Sequence, residues 1–83
     1  MITPLERAEG KLSQFDKDTK VVVYLDRVDG SRRVMFARGG IEVDDIGNLR
    51  DTLDEQAARQ SRHHSSSHSI DWDHVVDIKI EEY

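Results

Sequence analysis

Lys20-Val21-Val22-Val23-Tyr24-Leu25, followed by the pair Asp29-Gly30 and then by Val34-Met35-Phe36-Ala37, decides the fold of this chain. The run from Val21 to Leu25 is β-branched, aromatic or aliphatic throughout and predicts a strand. Val21, Val23 and Leu25 share one of its faces, because side chains alternate across a pleated backbone. Asp29-Gly30 is a turn signal, so residues 20–37 read as an antiparallel hairpin whose loop is longer than two residues. Gly39-Gly40 breaks the second strand. Beyond it Ile41 and Val43 alternate with Glu42, which reads as a bulge continuing that strand or a short turn into a third one; the third strand is the favoured reading.

A helix precedes the hairpin. Thr3 can cap it, Pro4 occupies a first helical position where its missing N–H is harmless, and Glu6 completes a capping box. Leu5, Ala8, Leu12 and Phe15 recur on one face, which predicts a helix ending near Phe15 that is held by docking, since Gly10 weakens its middle by about 1 kcal/mol relative to alanine. After the hairpin, Asp44 or Asp45 caps a second helix in which Ile46, Leu49, Leu53 and Ala57 form the apolar stripe, running to about Gln60. Residues 61–69, rich in serine and histidine and without an apolar anchor, read as a flexible loop. In the last segment, from Ile70 to Tyr83, Val76, Ile78 and Ile80 face one way and Asp77, Lys79 and Glu81 the other, as in a strand with one wet face.

The expected architecture is therefore a single α+β domain spanning residues 1–83, in the order α-β-β-β-α-β. Three or four mainly antiparallel strands carry both helices on one face, which buries every apolar stripe at once. Asp71-Trp72-Asp73-His74-Val75-Val76-Asp77-Ile78 loosely resembles the closing strands of Sm-like small β-barrels. The helix expected over 46–60 departs from that pattern, and no functional residue is carried over.

Length and composition narrow the function. Eighty-three residues hold one small core. Hydrophobic residues make up 36% and charged residues 35%, against about 45–50% and about 25% in typical domains, so the surface is densely charged. No cysteine is present, which removes disulfides and thiolate metal sites and fits a reducing compartment. The longest apolar run is far shorter than the roughly 18 residues of a spanning helix, and the first residues lack a signal-peptide pattern, so a cytoplasmic protein without a membrane role is expected. No Gly-x-Ser-x-Gly elbow, Gly-rich phosphate loop or His-Glu-x-x-His helix occurs, and no catalytic residue or cofactor is assigned.

His63, His64, His68 and His74, with Asp71 and Asp73 nearby, contain competent zinc or nickel ligands. Their serine-rich setting offers no preorganised cage, so no metal ligand is assigned; protonation of four imidazoles would also make the segment pH-sensitive. Charge placement is more informative. The net charge of −5 opposes non-specific binding to nucleic acid. The negative excess lies in the second helix and in the residues C-terminal to it, whereas residues 21–43 are slightly basic.

Two interaction surfaces are expected. Asp44, Asp45, Asp51, Asp54, Glu55, Asp71 and Asp73, with Trp72 as the aromatic anchor, suit a protein partner with a basic surface, in the manner of a small adaptor or inhibitor that occupies a basic or nucleic-acid-binding surface. The alternative is a nucleic-acid-binding protein whose hairpin presents Arg27, Arg32, Arg33 and Arg38 to phosphates, with Tyr24 or Phe36 for stacking. An edge strand of the open sheet also permits homodimerisation.

Overall fold

Val21, Val23 and Leu25 are fully buried, and the rest of the architecture is arranged around the strand that carries them. The computed structural model describes residues 2–61 and 70–83. Its elements are α1 (Pro4–Leu12), β1 (Lys20–Arg27), β2 (Arg32–Met35), β3 (Ile41–Glu42), α2 (Leu49–Ser61) and β4 (Val75–Glu82), with 3-10 turns at Val43–Asp45 and Trp72–His74. This is the expected α-β-β-β-α-β order of a small α+β domain. The segment read as a flexible loop, including His63, His64 and His68, lies outside the described residues apart from Ser61, which ends α2.

Among the described residues all sheet pairing is antiparallel and passes through β1. Val23 pairs with Met35 of β2 and Ile80 of β4, while Val21 pairs with Ile41 of β3 and Glu82 of β4. Because a strand has only two edges, β4 fills one, and β2 and β3 share the other in succession. The third strand therefore exists, yet it continues the same edge as the second after the excursion Phe36–Gly40. The hairpin turn is held by Asp29, whose Oδ1 accepts from the backbone N–H of Ser31 (2.9 Å) and from its hydroxyl (2.6 Å). Gly30 supplies the left-handed φ of +86° between them.

One sheet face carries the core. Ala8 and Leu12 of α1 and Leu49, Leu53 and Ala57 of α2 pack in one cluster with Val21, Val23, Leu25, Met35, Ile78 and Ile80. The opposite face bears exposed Arg32, Val34, Lys79 and Glu81 around half-buried Tyr24 and Asp26. Among the described residues no helix is long and apolar enough to cross a membrane.

Local boundaries differ from expectation for identifiable reasons. α1 starts as predicted, with Thr3 Oγ1 accepting from the Glu6 N–H (3.1 Å), but it ends at Leu12. There the Ser13 hydroxyl donates to the Gly10 carbonyl (2.6 Å), and Phe15 reaches the core from the following turn rather than from the helix. β2 stops at Met35 because Phe36 adopts φ +62°. α2 is capped by Asn48 rather than Asp44 or Asp45: Asn48 Oδ1 accepts from the Asp51 N–H (3.0 Å), and the two acids belong to the preceding 3-10 turn. Val76 does not face the core with Ile78 and Ile80. The pairing slips between Asp26 and Arg27, so Val75 takes the inward position opposite Arg27 and Val76 is left 53% exposed.

Candidate functional site

α2 is the element that organises the charged surface. Its core stripe turns Asp51, Asp54 and Glu55 outward, all three exposed. The Trp72–His74 turn packs beside it. The Trp72 indole, half-buried against the core, donates from Nε1 to Asp54 Oδ1 (2.9 Å), and the Arg50 guanidinium lies over the same ring, 5.4 Å from its centroid. Trp72 is thus clasped by two side chains one helical turn apart. Its sequence neighbours Asp71 and Asp73 are exposed beside it, and Asp71 Oδ2 is hydrogen-bonded to His74 Nδ1.

The fold therefore assembles Asp51, Asp54, Glu55, Asp71, Trp72 and Asp73 from two elements far apart in the chain. Asp45 joins Glu55 around a small cavity of about 180 Å³, whereas Asp44 is tied through its backbone N–H to the Lys17 carbonyl (2.9 Å). These acids differ in how committed they are. Asp54 is engaged by the indole and Glu55 by Arg59 (2.8 Å, one turn along α2). The side chains of Asp44, Asp45, Asp51 and Asp73 have no partner among the described residues.

The arginine set is divided rather than gathered. Arg32 lies on the open face, where Nε and Nη2 donate to the two Asp26 carboxylate oxygens (2.6 and 3.3 Å) and the guanidinium covers the Tyr24 ring at 5.1 Å. Those bonds hold the Asp26 carboxyl below its usual range, with Lys79 adding a weaker pull, and raise Arg32 in turn. Arg33, the next residue along the strand, points to the helix side and donates from Nη2 to Gln60 Oε1 (2.7 Å). Arg27 and Arg38 are exposed at opposite ends of the hairpin region. No single face presents all four.

The structure also forms a cleft that sequence reasoning missed. The excursion Phe36–Gly40 and the second half of α2 bound an open cleft of about 910 Å³, whose walls include Arg33, Arg38, Arg59, Gln56, Gln60 and Phe36. A signal was present in the sequence: Gln56, Arg59 and Gln60 flank the apolar stripe of α2 on one side. What could not be read was that this flank faces the arginine-bearing strand.

Among the described residues no group of three histidine or acidic side chains is placed to hold a metal ion. Compared with protein-family models, curated proteins and solved structures, the chain gives no significant match to any of the three.

Proposed function

We propose that this protein is a non-enzymatic binding module of the cytoplasm that docks on a basic surface of a partner protein, as an adaptor or inhibitor, through the acidic face of α2 and the adjoining Asp71–Asp73 turn. One observation carries the reading: the Trp72–Asp54 hydrogen bond fastens that turn to α2, so acids from both elements form one surface around an aromatic side chain. A surface of this kind steers association with a basic partner, and a clasped indole at its centre offers apolar area with little loss of side-chain freedom on binding.

The test uses Asp51→Lys with Asp73→Lys. Both side chains lack partners among the described residues, so the exchange leaves the indole clasp in place. Wild-type protein immobilised in a lysate of its source cells captures a partner, which is then purified and measured directly. The reading expects the double variant to lose at least about tenfold in affinity at physiological salt, and the wild-type complex to weaken steeply as salt rises. Equal affinity and an equal salt slope for the two proteins overturn it.

A further inference from the structure

Among the described residues three arginines, two glutamines and no carboxylate line the cleft between Phe36–Gly40 and α2, in a chain whose net charge is −5. Each arginine keeps donor capacity. Arg33 is half-buried and gives Nη2 to the neutral Gln60 oxygen, with no carboxylate partner among the described residues. Its pKa lies below the usual arginine range, because burial penalises the cation and Arg27 adds a like charge. Arg38 is exposed and makes no hydrogen bond or ion pair among the described residues. Arg59 meets Glu55 through Nη2 alone, which leaves further N–H donors on the guanidinium.

The other wall is apolar. Phe36 is the one non-glycine residue with a left-handed φ among those described, and it lines the cleft beside Ile41. A bulky side chain is disfavoured at such a backbone position, and Phe36 holds it while packing against the core at the edge of the cleft. The volume lies within the roughly 300–1,000 Å³ of small-molecule sites.

We propose that this cleft binds a phosphate ester of mononucleotide size, with the phosphate held by Arg33, Arg38 and Arg59 and the organic part against Phe36. The guanidinium fork matches phosphate oxygens in a bidentate manner, and a doubly charged anion answers three cations better than a single carboxylate does. The apolar wall favours an ester over the bare ion.

The test is a heteronuclear NMR titration of the full ¹⁵N-labelled chain with adenosine monophosphate, ribose 5-phosphate, inorganic phosphate, adenosine and citrate. Saturable shifts are expected at the amides of Ala37, Arg38, Gly40, Gln56 and Gln60 with the two esters, weaker ones with inorganic phosphate and none with adenosine. Arg38→Ala, at an exposed position, is expected to weaken ester binding roughly tenfold while the rest of the spectrum is unchanged. Arg33→Lys, which keeps the charge and loses the fork, is expected to weaken it as well. Absence of saturable shifts with both esters at millimolar concentration overturns the proposal, and so does citrate binding as tightly as the esters. Tighter binding of a single-stranded oligonucleotide that depends on Arg27 and Arg32, outside the cleft, replaces it with a nucleic-acid surface.

Discussion

Trp72 Nε1 and Asp54 Oδ1 lie 2.9 Å apart, joining the turn before the last strand to the outer flank of α2. Since the chain contains one tryptophan, this contact reports on itself. Asp54→Ala is expected to cost about 1 kcal/mol, the usual net contribution of one such hydrogen bond. It should also shift the Trp72 emission, whereas Asp51→Ala leaves the emission in place. Urea unfolding followed by tryptophan fluorescence measures both, and an unchanged midpoint for Asp54→Ala would show that the bond does not hold the turn.

Gly40 is the most crowded of the five glycines. A Cβ there meets Tyr83 Cβ at 3.0 Å and the Val21 carbonyl oxygen at 3.1 Å, and its φ is +69°. Gly39 has a similar φ of +84° but open space around it. Gly39→Ala is therefore expected to cost about 1 kcal/mol from backbone strain alone, and Gly40→Ala about 2 kcal/mol or more. Thermal unfolding of the two variants side by side separates strain from crowding, and equal losses would remove the crowding argument.

Both helix starts rest on a single side-chain acceptor. Thr3→Ala and Asn48→Ala are each expected to destabilise the protein by about 1 kcal/mol. The effects should add, because the two caps share no partner. Chemical denaturation of the single and double variants checks this. An effect of Asp44→Ala or Asp45→Ala as large as that of Asn48→Ala would return the cap to the acids.

Asp26 provides a pH signature. Its folded carboxyl titrates below the ordinary value of 3.8, chiefly through the Arg32 hydrogen bonds. A depressed acid stabilises the fold fully above its unfolded value and loses that contribution as pH falls through the folded value. The difference in stability between wild type and Asp26→Asn should thus be constant near neutrality and shrink as pH falls below about 3.8. A carboxyl NMR titration of Asp26 with a midpoint at or above that value refutes the assignment.

Much of the fold was legible because burial follows period. The alternation of Val21, Val23 and Leu25 and the stripe of Leu49, Leu53 and Ala57 depend only on which face of an element meets the core. Features set by a neighbour were not legible. The exposure of Val76 results from a slip in pairing with β1, and the end of β2 results from a left-handed φ at Phe36, where composition favours a strand. The acidic surface was read residue by residue as a charge excess, yet its cohesion comes from Trp72 meeting Asp54, a contact between residues far apart in sequence. The arginine surface failed to gather for the reverse reason. Arg32 and Arg33 are neighbours in the chain and, on a pleated strand, point to opposite faces.

The central position of β1 also governs the order in which the molecule assembles. Its hairpin with β2 closes a short loop, so one edge of Val23–Asp26 is covered early, and β3 later extends that cover to Val21. The other edge waits for β4, which can pair only after the intervening chain, with the whole of α2, has been brought back across the sheet. Until then the most strand-prone run in the chain presents an unpaired backbone edge to any other copy in the same state. Aggregation during refolding should therefore rise with protein concentration, and it should be most severe in variants that weaken β4 while leaving the hairpin intact.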